Sequence, residues 1–79
     1  MLGVEELLAW IARRLVDEPE AVQVERFDEG DVVVLRLHVA PDDVGKVIGR
    51  QGRVVRALRT VVRSAAARGD RRLVLEIAD

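Results

Sequence analysis

Apolar residues at Val4, Leu7, Leu8, Ile11 and Leu15 recur at the spacing of one helix face and predict an amphipathic helix over residues 2–16. Glu5 and Glu6 near its start and Arg13 and Arg14 near its end suit the helix dipole, and Asp17-Glu18-Pro19 ends it. Residues 21–27 read as a strand, and Asp28-Glu29-Gly30-Asp31 as a turn short enough to make a hairpin. Residues 32–39 alternate: Val33, Leu35, Leu37 and Val39 point to one side, Val32, Val34, Arg36 and His38 to the other. Pro41 closes this strand. A short helix is expected over 43–48, capped by Asp42 or Asp43, with Val44, Val47 and Ile48 apolar. After a tight turn, a second helix over 53–68 is expected to bury Val54, Leu58, Val61, Val62 and Ala65, with Arg56, Arg59 and Arg63 opposite and Gly69 as its stop. A last strand over 72–78 places Leu73, Leu75 and Ile77 inward and Val74 and Glu76 outward. The order is α-β-β-α-α-β. An α+β domain with a three-stranded sheet and three helices packed on one face buries every apolar stripe.

With 79 residues the chain is expected to form one small domain, and a content of 49% apolar residues is enough to build its core. Cysteine is absent, which removes disulfides, a thiol nucleophile and cysteine-rich zinc sites. No apolar run approaches the roughly 20 residues that span a bilayer, and the first residues carry acids where a signal peptide needs bases, so a cytoplasmic protein is expected. The net charge of −1 conceals an asymmetry. Residues 1–44 hold four basic and eleven acidic residues (−7), whereas residues 45–72 hold nine basic and one acidic (+8). The total argues against indiscriminate nucleic-acid binding, and the distribution argues for a local basic surface.

That basic segment contains Gly49-Arg50-Gln51-Gly52 between the two predicted helices. A turn with two glycines can press its backbone against a nucleic-acid backbone, where a side chain at either glycine would hold the two apart. Arg50 and Arg53 add charge and donors for phosphate at the same place. Other phosphate loops do not fit. Gly45-Lys46 lacks the preceding P-loop pattern and a following Ser or Thr, and only Gly49 and Gly52 have the spacing of a dinucleotide fingerprint, after a helix instead of a strand. Asp42 and Asp43 read as caps before they read as paired acid–base carboxylates. His38, without a nucleophile or partner in sequence, reads as a surface residue. Trp10 lies about a quarter-turn off the apolar stripe, at the core edge or at an interface. Arg56, Arg59 and Arg63 form a solvated helix face, and Arg59 and Arg63 are left outside the site. No nucleophile–base set or nucleotide loop remains, so no enzyme and no cofactor are expected.

The run Val47-Ile48-Gly49-Arg50-Gln51-Gly52-Arg53-Val54-Val55 resembles the Val-Ile-Gly-x-x-Gly signature of the KH domain and the start of the helix that follows it. The element order resembles the type II arrangement, whose sheet is mixed. Chain length, the acidic first helix and an end just past the last strand resemble the YlqC-type family of small stand-alone bacterial KH proteins. The resemblance spans the whole chain and implies non-catalytic binding of single-stranded RNA, with about four nucleotides clamped by their backbone. On that implication Gly49 and Gly52 allow close approach and Arg50 and Gln51 face phosphates. Lys46, Arg53 and Arg56 are auxiliary cations, and Gly45, Val47, Ile48 and Val54 line the groove for bases. It also implies a homodimer, or a heterodimer with a larger KH protein of the KhpB/Jag type, and action as a regulator or RNA chaperone. Two alternatives stay open: a dimerisation module whose RNA contact is secondary, and a ribosome-linked assembly factor.

Overall fold

The computed structural model describes residues 3–65 and 72–78. Helix α1 (Val4–Leu15) is followed by a 3-10 turn at Pro19–Ala21 and by strands β1 (Gln23–Glu29) and β2 (Val32–His38). A second 3-10 turn at Pro41–Asp43 leads into helix α2 (Val44–Ile48). The Arg50–Gly52 turn then joins α2 to α3 (Arg53–Ala65), and β3 (Arg72–Ile77) completes the order. The end of the long helix and its Gly69 stop lie outside the described residues.

The sheet order is β1-β2-β3, with β2 antiparallel to β1 and parallel to β3. Connection length decides this. A two-residue loop can only return the chain antiparallel, whereas β3 is reached through two helices and enters parallel. Pairing of β1 with β2 runs to Glu29 opposite Val32, so the hairpin turn is Gly30-Asp31 alone and Asp28 and Glu29 belong to the strand. Gly30 has φ +66°, as the first position of a type II′ turn requires. The expected strand over 21–27 is thereby displaced two residues along the chain, because Pro19 nucleates a 3-10 turn that takes up Ala21.

Helices cover one face of the sheet. Val33, Leu35, Leu37 and Leu75 pack against Leu8, Ala9 and Ala12 of α1, Val47 of α2 and Val55, Leu58 and Val62 of α3. Each buried Leu or Val contributes about 1.5–3 kcal/mol relative to exposure. The buried stripe of α1 runs through Ala9 and Ala12, and Leu15 stands exposed. In α3 the buried positions are Val55, Leu58 and Val62, whereas Val61 and Ala65, expected inside, are exposed and Val54 is half-buried. The apolar arc of each helix is wider than the strip the sheet covers. Between α1 and α3 an apolar groove lined by Ile11, Leu15, Val54 and Val61 stays open. On the other face of the sheet Phe27, Val34 and Val74 align in one row across the three strands. Val34 is buried there, with the Arg36 guanidinium 4.8 Å from the Phe27 ring centroid and its Nη2 3.1 Å from Glu76 Oε1. His38 lies on this face, paired with Glu25.

Candidate nucleic-acid interface

Helix α2 is five residues long and ends at Gly49, whose N–H donates to the Gly45 carbonyl at 2.8 Å. Gly49 has φ +76° and ψ 171°, a region reserved for glycine. Gln51 follows at φ +59° and Gly52 at φ +74°, and the Gly52 N–H donates to the Gly49 carbonyl at 3.1 Å. Three left-handed residues in four reverse the chain sharply enough to start α3 directly at Arg53. The two glycines are not equivalent. A Cβ at Gly49 would meet Val54 Cγ2 at 2.4 Å, whereas at Gly52 the nearest atom is Val55 Cγ1 at 3.9 Å. Gly49 answers to the protein's own packing. At Gly52 a Cβ would make only an ordinary van der Waals contact, so the protein's own packing does not demand glycine there.

Arg50, Gln51 and Arg53 are exposed around the turn. Neither Arg50 nor Arg53 is in an ion pair among the described residues. Arg56 turns back on the turn: its Nη2 donates to the Gln51 carbonyl at 2.6 Å and its Nε to the Gly52 carbonyl at 3.3 Å. Gly45 is exposed and open, and Ile48 is 37% exposed beside the glycines.

One expected groove residue is buried instead. Val47 is 0% exposed, a plug in the core, and offers no surface to a base. Val54 lies over Gly49 and lines an apolar groove between α1 and α3 with Ile11, Leu15, Arg53, Ala57, Leu58 and Val61. Val47 lies on the side of α2 that packs into the core, so the solvent-facing side of that helix is left to Ile48 and the polar residues.

Asp42 and Asp43 do not cap α2, which has no side-chain cap. Asp43 instead is the one buried charged residue among the described residues, at 1% exposed. Its Oδ2 accepts the Glu18 N–H at 3.0 Å and its Oδ1 lies 3.3 Å from Lys46 Nζ, which is also 3.1 Å from Asp17 Oδ2. Burial pushes the Asp43 carboxyl up, but the Glu18 and Asp17 amides and the Lys46 ammonium outweigh it and hold the group below the usual carboxylate range. The hydrogen bonds to Asp17 and Asp43 raise Lys46 above its ordinary value.

On its other flank α3 forms a second groove with β3, lined by Arg59, Val62, Arg63, Arg72, Leu73, Val74 and Leu75. Arg59 and Arg63, which the sequence left outside the site, line this groove together with Arg72 at the edge of β3, and none of the three is in an ion pair among the described residues. Their one sequence signal is the spacing of Arg56, Arg59 and Arg63 along a single helix face. Arg72 joins them only because α3 lies over β3. Helix α3 thus has a buried stripe, a cationic flank towards β3 and an apolar flank towards α1.

A mixed three-stranded sheet in the order α-β-β-α-α-β, with a Gly-x-x-Gly turn between adjacent helices, defines a type II KH fold. The family model "KhpA/KhpB, KH domain" matches residues 5–77, and the chain belongs to that family. It is similar to the RNA-binding protein KhpA of Clostridium acetobutylicum, with 47% identity over 94% of this chain and 99% of that protein. The corresponding figures are 49%, 95% and 94% for KhpA of Treponema pallidum, and 47%, 96% and 100% for KhpA of Halalkalibacterium halodurans.

Proposed function

We propose that this protein binds single-stranded RNA without catalysis, through the Gly-x-x-Gly turn and the cationic groove that continues along α3. The observation that carries the reading is the left-handed turn at the surface, with Arg50, Gln51 and Arg53 exposed and Arg50 and Arg53 outside any ion pair among the described residues. A strand entering there brings its phosphates to Arg50, Gln51 and Arg53, and the groove of Arg59, Arg63 and Arg72 extends the positive surface. Ile48 and Gly45 offer the contact surface beside the turn. The names of the relatives, RNA-binding proteins, support the ligand class. About four nucleotides fit one KH clamp, so useful affinity comes from a second KH domain and the effective concentration it provides. Cytoplasmic action as an RNA chaperone or regulator belongs to the same reading.

A partner KH domain, in a homodimer or a heterodimer with a KhpB/Jag-type protein, is favoured by the apolar α1–α3 groove. It leaves Leu15, Val61 and Ala57 exposed on a chain whose core is thin.

The test is titration of a labelled single-stranded RNA with the wild type and with Arg50→Asp/Gln51→Asp, with light scattering on the same samples. Both glycines stay, and aspartate tolerates the left-handed position better than most residues. A folded variant that binds at least tenfold more weakly supports the clamp. Equal binding overturns it. Dimers that bind no RNA support the interaction module instead.

A further inference from the structure

Among the cations beside the turn, Lys46 alone is closed within an acidic pair. Its ammonium lies 3.1 Å from Asp17 and 3.3 Å from Asp43. Asp43 is itself buried and tied to the Glu18 amide at 3.0 Å. The three side chains carry a net charge of −1, so an incoming phosphate meets two carboxylates as well as one ammonium. Two of the three ammonium donors are taken by the carboxylates, which leaves one for a phosphate beside two negative charges. Lys46 adds a second tie between the Asp17-Glu18 connector and α2: the Glu18–Asp43 hydrogen bond holds the N-cap, and the Lys46–Asp17 pair holds the middle of the helix. Helix α2 is a five-residue element with no side-chain cap, and its next residue after Ile48 is the first glycine of the turn.

We infer that Lys46 is a positioning residue of the RNA clamp and not one of its phosphate ligands: with Asp17 and Asp43 it forms a strut that fixes α2, and so Gly49, against the α1–β1 connector. This rests on the proposed RNA reading and changes the division of labour within it. Counter-ion release is left to Arg50, Arg53 and the α3 groove. Lys46 acts through the geometry of the turn.

The two roles differ in how they respond to salt. A lost phosphate ligand lowers the slope of log K against log salt by about 0.7 on a single strand, whereas a lost strut weakens binding by the same factor at every salt concentration. The experiment measures a labelled single-stranded RNA at about 50 and about 200 mM salt with the wild type, Lys46→Met, Lys46→Arg, Asp17→Asn and Arg50→Met. Amide spectra of Gly49 to Gly52 are recorded for each. The expected result is that Lys46→Met weakens binding several-fold with an unchanged slope and shifts the turn amides. Lys46→Arg restores both, and Asp17→Asn does not tighten binding. A slope lowered in Lys46→Met as much as in Arg50→Met, or tighter binding by Asp17→Asn, makes Lys46 a phosphate ligand and overturns the inference. Unchanged affinity and unchanged turn amides overturn it as well. If Lys46→Met does not fold, Asp17→Asn decides, because Asp17 is 79% exposed and its loss leaves the core intact. If the wild type binds no RNA, the RNA reading fails, and the turn amides alone decide whether the strut positions the turn.

Discussion

A Cβ on Gly49 would stand 2.4 Å from Cγ2 of Val54 and 2.9 Å from the Val54 backbone nitrogen. The second contact is with backbone and cannot be relieved by a rotamer change, and the φ of +76° adds its own cost. Gly49→Ala is therefore expected to destabilise by more than about 2 kcal/mol. Gly52→Ala makes only an ordinary contact with Val55 and carries the left-handed penalty alone, about 1–2 kcal/mol. Thermal unfolding of the two variants checks the order. If Gly52→Ala is the more damaging to stability, the assignment of Gly49 to packing is wrong.

Gln51 is the one non-glycine residue with positive φ among those described, at +59°. Gln51→Gly removes that strain against a loss of chain entropy and is expected to stabilise by up to about 1 kcal/mol. If Gln51 faces the bound strand as proposed, its side chain is lost as well, and RNA affinity is expected to fall as stability rises. Unfolding curves and binding isotherms on one sample show both, and a parallel fall in stability and affinity contradicts the strain argument.

Arg59, Arg63 and Arg72 line the α3–β3 groove. If a bound strand continues along it, Arg59→Gln and Arg63→Gln each lower the salt slope by about 0.7 without changing stability by more than about 0.5 kcal/mol. An unchanged slope in both confines the RNA to the turn.

The strut has a pH signature. Asp43 is held below its unfolded value of about 3.9, so its contribution is fully present above that value and is lost as pH falls through the folded value. Lys46 is raised above about 10.4, so its contribution is present below that value and is lost as pH rises through the folded value. Between about pH 5 and pH 9 the pair is expected to leave the melting temperature flat. Below about pH 4 the wild type is expected to lose stability more steeply than Asp43→Asn. Equal acid slopes place the titrating carboxylate elsewhere.

Leu15 and Val61 are exposed on the α1–α3 groove. Leu15→Glu and Val61→Glu are expected to leave the fold intact and to halve the mass of any dimer in light scattering. A dimer that survives both uses another surface.

Alternation in Val32–His38, the apolar spacing of α1 and the two glycines around Arg50 and Gln51 are local properties of the chain, and each was legible because period and turn chemistry act over a few residues. The order α-β-β-α-α-β and the place of the turn between helices follow from them. What was not legible depends on how two elements meet. Val54 and Val55 are adjacent and equally apolar, and only the packing of α2 on α3 decides which one enters the core. Asp43 has the sequence context of a helix cap, yet its carboxylate reaches Glu18 and Lys46 because a connector 25 residues away folds against it. Arg59, Arg63 and Arg72 become one groove only when α3 lies over β3. By itself the sequence determined the elements, their order and the residues of the turn, because backbone sterics and hydrophobic periodicity are short-range. Tertiary structure alone decided which cations stand free and which are bound within the fold, because burial and ion pairing depend on neighbours distant in the chain.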